Sequence, residues 1–142
     1  MQGLAVLFCL LGAIALASPE TVTPRNSPKA ESIAVNYAIY RNAVNNFVTS
    51  NSSITTGEVP VSNLSIPTGW KPMRAWANRM DNGNCYVWGS VQGNESEEIR
   101  KLFMGSFAIG VKRNGFLANA HGADTALPSF IPENSIVSVI TQ

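Results

Sequence analysis

Residues 76–89, Trp-Ala-Asn-Arg-Met-Asp-Asn-Gly-Asn-Cys-Tyr-Val-Trp-Gly, carry the clearest structural signal in the chain. The dipeptide Asn82-Gly83 in their middle is typical of a two-residue β-hairpin turn, because both positions of that turn need a positive φ. The hairpin fixes the facing pairs as Met80 with Cys85, Arg79 with Tyr86, Ala77 with Trp88, and Trp76 with Gly89. In this register Gly89 leaves room for the ring of Trp76, and Arg79 is expected to form a cation–π contact with Tyr86.

The aromatic side chains of this region have two interpretations. The first places Trp70, Trp76 and Trp88 in the core, and the alternative makes them a platform that binds carbohydrate or peptide. Cys85 has no cysteine partner in the same domain, since the other cysteine, Cys9, lies in the N-terminal apolar segment. Cys85 is therefore interpreted as a small buried hydrophobe.

A helix is predicted before the hairpin. Ser27-Pro28 combines an N-cap residue with proline at the first helical position, and a pattern of about twenty residues with helical periodicity follows. Its apolar stripe consists of Ile33, Tyr37, Tyr40, Val44, Phe47 and Val48. The favoured interpretation packs this stripe on the protein's own sheet, and the alternative makes Tyr37 and Tyr40 a docking surface for a partner helix.

A second helix is predicted after the hairpin. Asn94 is the expected N-cap with Glu97 at the capping-box position, and the helix is expected to end near Gly105. Acidic residues at its start and basic residues near its end complement the helix dipole, which gives these charges a structural explanation. They are Glu95, Glu97, Glu98, Arg100 and Lys101.

The remaining strands follow from alternation and turn signals. Residues 107–111 alternate up to the turn dipeptide Asn114-Gly115, and residues 116–120 return as the second strand of that hairpin. Residues 136–140 predict a last strand, which we expect at an edge of the sheet. Residues 50–72 predict a loop with one short strand around positions 58–64.

These elements predict an α+β fold for residues 30–142 as a single domain. Its order is helix, hairpin, helix, hairpin, and the two helices are expected to cover one face of an antiparallel sheet. The sequence thus predicts an N-terminal apolar helix and tether followed by this covered sheet.

The N-terminus is uncharged from residue 3 to residue 17, a run of fifteen residues without proline. As a helix, residues 1–18 reach about 27 Å, the lower limit for crossing a bilayer. They predict a membrane anchor, and cleavage of a signal segment after Ala17 is the alternative. Residues 19–29 form a proline-rich linker. The charged residues that follow the apolar run mildly favour a cytoplasmic location for the domain. An export role requires a periplasmic location.

Composition and motifs argue against several functional classes. The formal net charge of +1 lacks the basic field that nucleic-acid binding needs, and one histidine with two cysteines makes a metal site improbable. His121-Gly122-Ala123-Asp124 looks like a loop, and the nucleophile elbow, the phosphate loop and the dinucleotide fingerprint are all missing from the sequence. We therefore predict no enzyme, no catalytic, cofactor-binding or metal-binding residue, no cofactor and no small-molecule substrate.

Contacts with other proteins are the remaining expectation. The candidate contact residues are Tyr37 and Tyr40 on the first helix and Ile136 and Val139 on the last strand. The last strand is a candidate because an exposed sheet edge invites pairing with another chain. The membrane is the other predicted partner, through residues 3–17.

Three segments carry a resemblance to a known family. They are Tyr37-Ala-Ile-Tyr-Arg-Asn-Ala-Val44, Trp70-Lys-Pro72 and Cys85-Tyr-Val-Trp-Gly89. Together with the apolar N-terminus, they resemble the PilM family encoded in type IV thin-pilus operons of conjugative plasmids. The resemblance covers essentially the full length and offers no catalytic residues to transfer.

This resemblance implies a bacterial inner-membrane component of thin-pilus biogenesis. Such a protein is expected to be a single-pass, membrane-tethered assembly or basal-body scaffold with a periplasmic domain, and to contact other pilus-assembly proteins. The alternatives are an exported minor pilin and a small periplasmic binding module, each released into the periplasm by cleavage after Ala17.

Overall fold

The computed structural model describes residues 28–142, which form two helices and one six-stranded antiparallel sheet. The elements are α1 (Pro28–Ser50), a short 3-10 helix (Val61–Asn63), β1 (Ala77–Asp81), β2 (Asn84–Ser90), α2 (Gly93–Leu102), β3 (Ile109–Arg113), β4 (Phe116–Asn119), β5 (Gly122–Ala126) and β6 (Ser135–Thr141). The predicted α+β fold is confirmed. The predicted N-terminal apolar helix and nearly all of the linker lie outside the described residues.

The β1–β2 hairpin has the predicted register. Ala77 faces Trp88, Arg79 faces Tyr86 and Met80 faces Cys85. Asn82 and Gly83 have φ values of 51° and 83°, as the turn requires. A Cβ atom on Gly89 would lie 2.3 Å from Cε3 of Trp76, so the absence of a side chain at Gly89 does make room for the indole.

The last strand lies inside the sheet, and the prediction of an edge strand is wrong. The strand order is β1-β2-β6-β3-β4-β5, and β6 is antiparallel to both of its neighbours. Its residues explain the position, because Ile136 and Val137 are fully buried in the cores on opposite faces of the sheet, and the polar Ser138 between the strands is fully buried as well. The first hairpin and the β3–β4–β5 meander are joined through this central strand.

The helices cover one face of the sheet, which we call the helix face. Tyr37, Tyr40 and Val44 of α1 and Ile99 of α2 belong to the same core cluster as Cys85 and Val87 of β2. The predicted apolar stripe of α1 is buried, except for Phe47, which is partly buried. The helix therefore packs on the protein's own sheet, as the favoured interpretation had it.

The start of α2 differs from the prediction by two residues. The N-cap is Gln92, and Glu95 occupies the capping-box position assigned to Glu97. The Glu95 carboxylate accepts from the Gln92 backbone N–H and is also bound by Arg74, whose chain segment precedes the first strand. Sequence reasoning counted only the helix's own capping signals and had no means of including this distant partner.

The other face, which we call the outer face, carries a small second core. It contains Tyr86, Leu117 and Val137 from the sheet and Leu127 and Ile131 from the β5–β6 connection. The connection is fastened by Lys112, a buried residue of β3 whose ammonium group donates to the carbonyl oxygens of Pro128 at 2.9 Å and Ile131 at 2.7 Å.

Two further predictions need correction. Residues 121–124 were predicted as a loop, but residues 122–124 belong to the edge strand β5, all of whose residues are exposed. No strand forms around positions 58–64; this stretch contains the 3-10 helix, and only an isolated bridge joins nearby Gly57 to Met80. Both segments lack the apolar alternation on which strand prediction depends.

Candidate functional site

Three of the four predicted contact residues lie inside the domain. Tyr37, Ile136 and Tyr40 are buried, and Val139 is partly buried on the outer face. The Tyr37 hydroxyl donates to the carbonyl oxygen of Val87 at 3.0 Å and lies 2.5 Å from Oγ of Ser138. A partner could not touch the three buried side chains without disrupting this packing, which leaves Val139 as the accessible member of the set.

The three tryptophans do not form one platform. Trp70 is stacked on Tyr40 with ring centroids 6.1 Å apart, and Trp76 meets the Tyr37 ring edge-on at 5.0 Å, both on the helix face. Trp88 lies on the outer face against Phe130. The core interpretation of these residues is the better one.

The predicted cation–π contact involves a different ring. The guanidinium of Arg79 lies 4.6 Å from the ring centroid of Phe130, which itself packs edge-on against Tyr86. Phe130 belongs to the β5–β6 connection, and its approach to the hairpin is a long-range contact that the local pattern could not reveal.

A buried amide that sequence reasoning missed holds the approach to β1. The side-chain oxygen of Asn36 on α1 accepts hydrogen bonds from the Met73 backbone N–H at 2.8 Å and from Nε1 of Trp76 at 2.7 Å. Its Nδ2 donates to the carbonyl oxygen of Lys71 at 2.8 Å. These bonds have a structural role, because each satisfies a polar group at a partly buried junction.

Two titratable side chains, Cys85 and Tyr37, lie in the core. Burial raises the pKa of the Cys85 thiol to about 12, so the thiol is neutral and unreactive at physiological pH. Burial also raises the pKa of the Tyr37 hydroxyl. Among residues 28–142, no group of three or more histidine, cysteine, aspartate or glutamate side chains is arranged to hold a metal ion.

Glu95 and Arg74 form the main ion pair. Nε of Arg74 donates to Oε1 of Glu95 at 3.1 Å, and Nη2 donates to Oε2 at 2.7 Å. Burial opposes ionisation of Glu95, but the hydrogen bonds from Arg74 and from the Gln92 backbone N–H outweigh it and hold the pKa of the carboxyl below its usual value.

This lowered pKa predicts a loss of stability in acid. A carboxyl whose pKa is lower in the folded state stabilises the fold above its unfolded pKa of about 4.3, and the contribution disappears as the pH falls through the folded value. Denaturant unfolding of the wild type and of Glu95→Gln, repeated at several pH values, checks this. The wild type should be the more stable above about pH 5, with a smaller difference below about pH 4. A difference that does not change with pH would contradict the assignment.

The His121 side chain contacts a backbone carbonyl oxygen and an aromatic ring, and no hydrogen bond joins it to a serine or aspartate side chain within residues 28–142. Its Nε2 lies 2.8 Å from the carbonyl oxygen of Gly105, and its ring is stacked on Phe107 with centroids 3.7 Å apart. Asn119 donates from Nδ2 to the carbonyl oxygens of Phe107 and Ile109 and accepts from the His121 backbone N–H. The two side chains fasten the α2–β3 turn to the β4–β5 hairpin.

The turn so held presents large apolar side chains to solvent. Met104 is 93% exposed and Phe107 is 73% exposed, and Leu102 at the end of α2 is also exposed. Met104 has a φ of 55°, which is unusual for a residue other than glycine, and it sits in the turn that ends the helix. We call Leu102, Met104 and Phe107 the apolar turn.

The two larger clefts beside the apolar turn lie on different sides of it. One, of about 310 Å³, lies between α2 and the β3–β4 hairpin, with Arg100, Lys101 and Glu97 among its lining residues and Ile109 as an apolar one. The other, of about 360 Å³, lies on the outer face, and we call it the outer groove. Its lining includes Tyr86, Phe107, Ala108, Leu117, Thr125 and Val139.

Neither helix within residues 28–142 combines the length and the apolar composition needed to cross a membrane.

One family model and two solved structures are similar to this chain. The family model for PilM matches residues 6–139. A crystal structure described as PilM from Escherichia coli B7A superposes with a TM-score of 0.64 at 18% identity, covering 84% of this chain and 97% of that one. A second, described as PilM from Pseudomonas aeruginosa 2192, gives a TM-score of 0.49 at 22% identity, covering 80% and 95%. No curated protein sequence matches. At 18% identity, the likeness to the E. coli protein shows a shared fold.

Proposed function

This chain belongs to the PilM family, and from that premise we propose that it is a non-catalytic component of type IV (thin) pilus biogenesis that works through contacts with other pilus-assembly proteins. The family supports a part in making the pilus. The more specific role, a tethered assembly or basal-body scaffold, rests on the surface of the domain.

The observation that carries the scaffold role is the apolar turn. The side chains of Asn119 and His121 fix this turn by hydrogen bonds. Met104 and Phe107 of the turn lie outside the core. Exposed aromatic and methionine side chains on a fixed backbone suit protein–protein contact, since little conformational entropy is lost when a partner binds. The cleft beside Ile109 offers room for an apolar side chain of that partner.

We propose that residues 1–18 tether this domain to the inner membrane and that residues 30–142 lie in the periplasm. The support is the run of fifteen uncharged residues from position 3 to position 17. Cleavage after Ala17 would release the domain into the periplasm instead. The mass of the purified protein separates the two, because an intact Met1 marks the anchor and a chain that starts at Ser18 marks cleavage.

Removal of the gene for this chain from a thin-pilus-forming strain tests the proposed function. We expect the deleted strain to lose its pili, and a plasmid copy of the wild-type gene to restore them. Electron microscopy of negatively stained cells counts the pili directly. A deleted strain with the same number of pili per cell as the parent would refute a role in pilus biogenesis.

A further inference from the structure

The two edges of the sheet differ in how they are covered. Strand β1 forms one edge, where Met80 makes an isolated bridge with Gly57 and the Asn78 side chain bonds to the backbone N–H and carbonyl oxygen of Val59. Strand β5 forms the other edge, and all five of its residues are exposed. Among residues 28–142, no segment pairs with the open side of β5.

The open side of β5 carries backbone groups that β4 does not use. The Leu127 N–H donates to the Gly115 carbonyl oxygen at 2.9 Å, and the neighbouring Ala126 faces Phe116. Since bonded and unbonded pairs alternate in an antiparallel ladder, the N–H and C=O of Ala126 point away from β4. An extended backbone has the spacing that satisfies such groups. The edge therefore selects an extended segment as its partner.

A cleft that suits a basic side chain opens beside this edge. It has a volume of about 100 Å³, and its lining includes Asp124 and the rings of Phe107 and His121. Asp124 is the one charged residue of β5, and within residues 28–142 its carboxylate forms no hydrogen bond or ion pair. A carboxylate beside an exposed aromatic ring attracts a lysine or arginine side chain, through charge pairing and cation–π contact.

The apolar surface beside this cleft continues onto the outer face. The cleft and the outer groove share Phe107, Leu117 and Thr125 among their lining residues. The outer groove has no charged residue in its lining and suits an apolar side chain. Because neighbouring side chains of a strand point to opposite faces, the segment that fits this edge has a basic residue next to apolar ones.

The charge of Asp124 argues against a second copy of β5 as the added strand. Two β5 strands paired antiparallel about their middle residue would place the two Asp124 carboxylates opposite each other, and like charges in that position destabilise a strand pair. The strand Gly122–Ala126 has no basic residue that could meet Asp124 of the other copy. The partner must instead bring a cation to Asp124, as a segment of a different protein can.

We propose that β5 binds an extended, basic segment of another pilus-assembly protein as a seventh strand of the sheet. A lysine or arginine of that segment lies at Asp124 and Phe107, and an apolar neighbour lies at the outer groove. The inference rests on the proposed function for the source of the segment, and it deepens that function by naming the chemistry of the segment. Phe107 belongs to both the apolar turn and this cleft, so one partner can cover both.

Amide hydrogen exchange of the purified full-length chain in detergent tests the added strand, with the peptide Ac-Thr-Val-Lys-Val-Thr-NH2 as the probe. We expect the peptide to bind saturably and to slow exchange of the Ala126 amide at least about fivefold. Two further peptides, N-methylated either at both valines or at the lysine and both threonines, keep every side chain. One of them should lose binding and the other should keep it, because a strand donates only alternate amides to one edge.

Charge reversal tests the role of Asp124. Asp124→Lys should weaken binding of the lysine peptide at least about threefold, and this variant should prefer the peptide Ac-Thr-Val-Glu-Val-Thr-NH2, which the wild type binds more weakly than the lysine peptide. Asp81→Lys makes the same change on the other edge strand, β1, and should leave both affinities as in the wild type.

A wild type that does not bind the lysine peptide would overturn the inference, as would equal binding of the two N-methylated peptides or wild-type affinities in Asp124→Lys. Protection of the Ala126 amide in the absence of peptide would also overturn it, because residues 19–27, which include Arg25, or a second copy would then already occupy the edge. If the inference fails in any of these ways and the deleted strain lacks pili, the proposed function still stands.

Discussion

Tyr37→Ala is expected to lower the free energy of unfolding by about 3 to 5 kcal/mol, the range found for removal of a buried aromatic side chain. Tyr37 is fully buried, and its ring packs edge-on against Trp76 at 5.0 Å and against Phe103 at 6.3 Å. It therefore joins α1 to the segment before β1 and to the end of α2. Its hydroxyl also ties α1 to β2 and β6 through Val87 and Ser138.

Denaturant unfolding followed by tryptophan fluorescence measures this loss. Tyr37→Phe keeps the ring and removes the hydroxyl, so it should cost about 1 to 3 kcal/mol and remains measurable if the alanine variant does not fold. Val35→Ala, at an exposed position on the same helix, is the matched control and should change stability by less than about 0.5 kcal/mol. An alanine variant within about 1 kcal/mol of the wild type would show that Tyr37 does not join these elements.

The local parts of the fold were predictable from local chemistry. The register of the β1–β2 hairpin followed from Asn82-Gly83, and the buried stripe of α1 followed from its spacing, because turn geometry and helical periodicity are properties of neighbouring residues. The second Asn-Gly turn was also confirmed, with Asn114 and Gly115 at φ values of 52° and 84°.

The errors share a physical cause, which is contact between residues distant in the chain. The strand β6 resembles an edge strand by its position at the end of the sequence, but its insertion between β2 and β3 depends on pairing with both hairpins. In the same way, Arg74 binds Glu95 at the capping-box position of α2, and Phe130 replaces Tyr86 as the ring under Arg79.

The candidate surface was largely beyond sequence reasoning. The periodic spacing of apolar residues led to the prediction of Tyr37 and Ile136 as contact residues. Apolar residues at periodic positions, however, are those most often buried. Met104 and Phe107 lie between α2 and β3, although the alternation of residues 107–111 predicted Phe107 as the first residue of that strand. One signal was available in retrospect, since a phenylalanine and a methionine so close to a helix-ending glycine are unusual for a solvent-exposed turn.

Met104→Asp is expected to abolish pilus formation while leaving the fold intact. Met104 is 93% exposed, so the substitution breaks no internal packing and should change the free energy of unfolding by less than about 0.5 kcal/mol. At the centre of a contact surface, however, an unpaired carboxylate would have to lose its hydration when the partner binds, which is costly. Val61→Asp makes a similar change at an exposed apolar residue of the 3-10 helix and serves as the control.

The central claim is that this domain acts in pilus biogenesis through the apolar turn. The most direct test is to count pili per cell in a strain whose only copy of the chain carries Met104→Asp, with protein levels matched to the wild type. The account predicts almost no pili with Met104→Asp and normal numbers with Val61→Asp. Normal pilus numbers with Met104→Asp at matched protein levels would contradict it.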